Sequence, residues 1–170
     1  MIFDMNKQGP FRPKFSFWRI PILLATWFGF GLLPRAPGTW ASLAALPIAW
    51  LVHLKTGPSG LLLAAIVLFF IGIWTAAIYA REIGTSDPSE VVIDEVAGQW
   101  LTLALACPLD PKFYAVGFFA FRVFDIAKPW PVSWVDQRLK GGLGIMFDDI
   151  IAAFYAAGTI VILGYVIGVY

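Results

Sequence analysis

The chain has 170 residues, of which 59% are hydrophobic and only 14% charged, with a mean hydropathy of +0.78. Soluble domains average roughly 45–50% apolar and about 25% charged residues, so a water-soluble globule is excluded in favour of a helical membrane protein. A net charge of +1 with no basic run excludes nucleic acid as a partner, and a single Cys107 excludes an internal disulfide or a cysteine metal site.

Residues 1–19 are polar and basic, with Lys7, Arg12, Lys14, Arg19, Pro10 and Pro13. No small-residue cleavage pattern follows, so this is not a signal peptide. Residues 1–16 read as a flexible cytoplasmic tail, and residues 17–170 as one membrane-embedded domain. The apolar stretches are 20–33, 39–54, 60–80, 91–109, 113–124 and 150–170. A span perpendicular to the bilayer needs about 20 residues. Stretches 60–80 and 150–170 meet that length. Stretch 91–109 meets it if its acidic start lies at the interface. Stretch 39–54 extends through Lys55 and Thr56, and 113–124 back toward Pro111. Stretch 20–33 is short, contains Gly29 and Gly31, and stops at Pro34. It reads as a re-entrant or interfacial helix. The fold expected is all-α and polytopic, with about four to five spans plus that short N-terminal helix.

With this topology ten of the twelve lysines and arginines fall on one side, and only Lys55 and Lys112 on the other. Such a bias marks the crowded side as cytoplasmic. Asp94, Glu95, Asp125, Asp148 and Asp149 all come to that same face, and Asp110 alone of the boundary acids lies opposite. Carboxylates at a hydrocarbon boundary are costly to desolvate and usually hold an ion or perform chemistry. Oxygen ligands suit a hard cation such as Mg²⁺, which is commonly shared with a substrate phosphate. His53 lies at the far face, so a histidine-rich zinc site is not expected.

Three segments carry the candidate chemistry. In 91–100, Asp94 and Glu95 are neighbours that diverge by roughly 100° on a helix, so one is expected to bind metal while the other orients water. In 121–150, Arg122 and Asp125 share a helix face, prolines 129 and 131 stop the helix, and Gly141, Gly142 and Gly144 permit a sharp turn or close approach to a ligand. Asp148 and Asp149 then open a helix, where its dipole favours them. In 33–47, Pro37-Gly38 turns the chain, Thr39 caps the next helix or offers a phosphate its N–H groups, and Arg35 stands beside it.

These motifs occur in the order P-G-T with a following S-L-A-A, then I-D-E-x-x-G, then K-P-W-P…D…G-G-x-G-I-M-x-D-D. Together they resemble the phosphatidylglycerophosphatase A family over roughly residues 24–165. Ala41 departs from the family pattern P-G-T-x-G-S, one small residue for another. The resemblance implies a bacterial inner-membrane enzyme with its site facing the cytoplasm. It implies Mg²⁺-dependent hydrolysis of phosphatidylglycerophosphate to phosphatidylglycerol and phosphate. On chemical grounds Asp94, Asp125, Asp148 and Asp149 are expected to hold metal. Arg122 and Lys128 are expected to bind the terminal phosphate, with Arg35 and Thr39 at the diester phosphate. Glu95 is expected to orient or deprotonate water, with Asp94 and Asp149 beside it in catalysis. The competing reading is a small ion-coupled transporter with acids lining its path.

Overall fold

The computed structural model describes residues 18–168, so the tail expected over residues 1–16 lies outside the described residues. Among these the chain is all helical. Helix α1 is Ile20–Ala25, α2 Pro37–Ile83, α3 Ile93–Ala106, α4 Pro111–Ala127, α5 Val132–Arg138 and α6 Gly141–Val166, with a 3-10 turn at Phe30–Leu32. Two of them, α2 and α6, are long and apolar enough to cross a membrane.

Helix α2 joins two of the apolar stretches read from the sequence. It runs 47 residues and leaves helical geometry only at Gly57 (φ 70°, ψ −176°). Glycine adopts this backbone without a Cβ clash. Pro58 then starts the second arm, where its missing N–H has no helical partner to lose. The arms, 37–56 and 58–83, fold back on each other. The start of the first and the chain just past the second line one cavity, whereas His53 and Pro58 line a hollow with Cys107 and Tyr165. The bundle thus has two ends. The near end gathers the start of α2, the α2–α3 loop, the end of α4, α5 and the start of α6. The far end holds Gly57, the α3–α4 connection and the end of α6.

Helix α3 is the centre, packed against α2, α4 and α6. Every residue from Val96 to Leu103 is buried. At 14 residues it is about 21 Å long. Small residues let its neighbours approach. A Cβ at Gly98 would lie 2.6 Å from the Phe121 ring and 3.0 Å from the Asp149 carbonyl oxygen. Ala41, Ala45, Ala49, Ala152, Ala153 and Ala156 complete the contact faces, all fully buried. The outer faces carry the large apolar side chains, including Leu51, Leu63, Phe70, Phe119, Phe154 and Ile162, each more than half exposed. A surface of this kind is an interaction face, and here it girdles the bundle.

Residues 20–33 enter and return at the near end. Arg19 forms an ion pair with Glu82, and Val92 N–H donates to the Ala25 carbonyl at 2.9 Å. The chain reverses through Trp27, Phe28 and Gly29, with φ of 44°, 57° and 97°. Non-glycine residues seldom adopt that region. The Thr26 carbonyl accepts from both Gly29 and Gly31, and Trp27 sits edge-on to Trp100 at 6.1 Å. These contacts hold the reversal.

Helix α6 starts nine residues before the apolar stretch read from the sequence, and this changes how its acids are understood. Of the glycines expected to make a turn or allow close approach, Gly141 turns the chain with φ of 71°, whereas Gly142 and Gly144 lie in the first helical turn. Gly142 is needed for packing, since a Cβ there would run into the Ile73 carbonyl and touch Ala77. Asp148 and Asp149 therefore lie two turns inside α6, beyond the reach of its dipole, which fades within one turn. Asp110, set apart in the sequence, is the N-cap of α4 and accepts from Lys112 N–H at 2.8 Å. His53 Nδ1 bonds to the Tyr114 hydroxyl at 2.9 Å, at the far end.

Candidate active site

A cavity of about 450 Å³ opens at the near end of the bundle. Four helices supply the candidate residues on its walls. The first turn of α2 contributes Pro37, Gly38 and Thr39, and α3 contributes Asp94 and Glu95. Helix α4 and its exit supply Arg122, Asp125 and Lys128, and α6 supplies Asp148 and Asp149. All five acids singled out in the sequence line this one space.

They do not play equivalent parts. Carboxylate oxygens of Asp94, Glu95 and Asp149 lie within 4.8 Å of one another. The neighbours Asp94 and Glu95 thus converge on one point despite their divergence along the helix, the longer Glu95 arm reaching back toward it. Asp125 is instead engaged with the Arg122 guanidinium at 2.5 Å, and Glu95 lies 3.9 Å from the same nitrogen. Asp148 accepts from Lys128 Nζ at 2.8 Å, and Asp136 on α5 accepts from it at 2.6 Å. Lys128 has left-handed backbone (φ 43°) as it caps α4, which turns the chain toward α5 at the point where Lys128 links α5 to α6. Burial works against its charge, yet the bonds from Asp136 and Asp148 outweigh it and hold the ammonium above the usual lysine range.

The trio and the neighbouring Asp148 have spare capacity. Asp94 Oδ1, Glu95 Oε2, Asp148 Oδ1 and Asp149 Oδ2 are buried with no hydrogen-bond partner among the described residues. Buried carboxylate oxygens left in this way are costly, and an all-oxygen set of adjacent acids is what a hard divalent cation takes. These residues fit such an ion.

Gly38 is what allows Glu95 its position. A Cβ at residue 38 would overlap the Glu95 carboxylate. Gly38→Ala is expected to displace Glu95 and lower kcat roughly 10- to 100-fold, since small misplacements of reacting groups carry penalties of that order. Steady-state kinetics beside a thermal melt checks this, with the melt expected to change little.

Thr39 lines the cavity together with Pro37 and Gly38, and the Gly38 and Thr39 N–H groups have no acceptor within the helix. Arg35 does not line it and stands exposed on the bend before α2. Lys140 and the loop residues Ser86, Asp87 and Ser89 do line it. Reading the sequence assigned them no role. Lys140 had a signal, since it immediately precedes the glycine-rich start of α6. The loop carried none beyond its polarity.

With this geometry in place, similarity to known proteins decides the family. A profile described as phosphatidylglycerophosphatase A matches residues 23–164. The chain belongs to the phosphatidylglycerophosphatase A family. It is 40% identical to phosphatidylglycerophosphatase A of Escherichia coli strain K12, over 84% of this chain and 83% of that one. It is 35% identical to the Haemophilus influenzae phosphatidylglycerophosphatase A, over 89% of this chain and 93% of the relative. A Bacteroides thetaiotaomicron protein provisionally named a phosphatidylinositol-3-phosphatase is 41% identical, over 92% of this chain and 99% of its own length. No solved structure matches the chain. As a family member the protein is a phosphatase, and its apolar helices associate it with a membrane. The phosphatidylglycerophosphatase A match contains every cavity residue named above.

Proposed function

We propose that this phosphatase hydrolyses phosphatidylglycerophosphate to phosphatidylglycerol and inorganic phosphate, with Mg²⁺, at the cytoplasmic face of the bacterial inner membrane. The observation that carries the reading is the cluster of Asp94, Glu95 and Asp149, with unpartnered buried oxygens, facing Arg122 and Lys128 across one cavity. A phosphomonoester carries about two negative charges, and its hydrolysis needs them neutralised and a nucleophile positioned. Arg122 and Lys128 bind the terminal phosphate. Asp94 and Asp149 hold Mg²⁺ together with a Glu95 oxygen, and Asp148 and Asp125 orient the two cations. Bound Mg²⁺ would neutralise phosphate charge and make a coordinated water more acidic. Glu95 takes the proton of the attacking water. A bond forms from the water oxygen to phosphorus, the bond from phosphorus to the glycerol oxygen breaks, and that oxygen regains a proton from solvent. The Thr39 turn and Lys140 hold the diester phosphate, in the place first expected of Arg35.

The two arms of α2, α3, α4 and α6 form the multi-pass membrane body in this reading, and residues 20–33 re-enter from the cytoplasmic side. At about 1.5 Å per residue, the arms 37–56 and 58–83 reach across roughly 30 Å of hydrocarbon. The positive bias supports a cytoplasmic near end. The transporter reading requires acids along a transmembrane path, whereas these converge at one end of the bundle.

Phosphate release from phosphatidylglycerophosphate by the purified chain in detergent tests this. Release is expected with Mg²⁺ and is expected to fall to background in EDTA. A folded, lipid-supplemented sample that releases no phosphate with Mg²⁺ would overturn the activity, and full activity in EDTA would overturn the metal. Running phosphatidylinositol-3-phosphate in parallel measures how far the headgroup is discriminated.

A further inference from the structure

Directly beneath the cavity two polar side chains are buried in apolar surroundings. Gln99 on α3 and Ser42 on the first arm of α2 are both fully inaccessible. Gln99 Nε2, Gln99 Oε1 and Ser42 Oγ have no hydrogen-bond partner among the described residues. Buried polar atoms are nearly always partnered, so three together in one place require an explanation.

The register of the two helices supplies it. The first arm of α2 and α3 run side by side from the near end. Gly38 backs onto Glu95, and deeper in the bundle Trp100 Nε1 donates to the Ala45 carbonyl at 3.1 Å. Ser42 lies four residues after Gly38, and Gln99 four after Glu95. Residues four apart share a helix face, so Ser42 and Gln99 oppose each other between those two fixed contacts. Glu95 Oε2 is also buried and unpartnered, and side chains at i and i+4 are within reach of each other. Val96, Trp100, Leu103 and Ala45, close along the same two helices, belong to the apolar core. A leucine of similar volume would pack at residue 99 with no amide to satisfy, so the amide is not there for the core.

We propose that Gln99 is a positioning residue for the phosphatase reaction. Gln99 Nε2, Gln99 Oε1, Glu95 Oε2 and Ser42 Oγ make no hydrogen bond among the described residues. In the proposed arrangement the Gln99 amide turns so that Nε2 donates to Glu95 Oε2 and Oε1 accepts from the Ser42 hydroxyl. This chain of three groups fixes the carboxylate that accepts the proton of the attacking water. The proposal rests on the role given to Glu95 above.

The test uses the full chain in detergent, with phosphate release from phosphatidylglycerophosphate at saturating Mg²⁺. Gln99→Leu is expected to lower kcat roughly 10- to 100-fold, the usual loss when a group that orients a reacting side chain is removed. KM is expected to stay within about threefold, and the melting temperature to hold or rise. In a Glu95→Gln background the same substitution is expected to change kcat little, because interacting groups are not additive. Wild-type kcat in a folded Gln99→Leu variant would overturn the proposal. So would an equal further loss in the Glu95→Gln background, which would place the effect elsewhere. If Gln99→Leu does not fold, Ser42→Ala carries the same comparison, with a smaller loss of kcat expected and an unchanged kcat counting against it. A wild-type protein that releases no phosphate would remove the activity itself, and that is read separately from the variants.

Discussion

Asp149→Asn is expected to reduce phosphate release by roughly 10³-fold or more while leaving the protein at least as stable as the parent. The two effects have opposite signs for one reason. Asp149 is 3% exposed and lies against Asp94 and Glu95, its Oδ2 without a partner. Like charges held together in a dry site oppose folding. An amide of the same shape removes one of them and one cation ligand at once. Activity and stability then move apart, as happens where a site is built at the expense of the fold. Thermal melts without divalent cation are expected to show the variant equal to or above wild type. Adding Mg²⁺ is expected to raise the wild-type melting temperature and to raise that of the variant much less, since binding to the native state alone stabilises it. Near-normal turnover in Asp149→Asn at saturating Mg²⁺ would remove the residue from the ligand set. A marked loss of stability would mean that Asp149 serves the fold.

Much of this arrangement was legible in the sequence, because hydropathy and charge sign are local properties. The apolar stretches located the rods, and Pro111 marked the start of α4. That residues 20–33 form no long helix follows from a short stretch broken by Gly29 and Gly31 and stopped by Pro34. The five acids line one cavity, Asp94, Glu95 and Asp125 from helix ends and Asp148 and Asp149 from two turns inside α6. What stayed hidden depends on contacts between helices. Nothing local says that residues 141–149 continue as helix, since glycines serve turns and tight packing alike. Only the second arm of α2 against Gly142 decides it. The pairing of acids with cations was likewise unreadable. Arg122 and Asp125 share a face and meet as their spacing suggests, but Lys128 crosses to Asp136 and Asp148 on two other helices. Arg35 stands on an exposed bend one residue before the left-handed Ala36 and does not itself line the cavity. Gln99, inside an apolar run, looks like filler until its neighbours are known.

Arg122 is where binding and folding are most entangled, and the second large effect separates them. Its guanidinium is paired with Asp125, which is 8% exposed, and it also faces Glu95. Arg122→Met is expected to lower kcat/KM by roughly 10³-fold, because the fork that meets the phosphate oxygens is lost. It is also expected to cost about 3–5 kcal/mol of stability, the usual result of leaving one partner of a buried pair uncompensated. Loss of activity in that variant is therefore ambiguous alone. The double variant Arg122→Met, Asp125→Leu replaces both charges with apolar groups, and such replacements are often neutral or stabilising. Its stability is expected to return close to wild type while activity stays at the level of the single variant. Arg122→Lys keeps the charge without the planar fork. It is expected to lie between wild type and Arg122→Met in kcat/KM, with most of the stability retained. Denaturant melts and phosphate release on these three variants check both halves. If activity returned along with stability in the double variant, Arg122 would act only by neutralising Asp125, and Lys128 alone would be left to meet the phosphate.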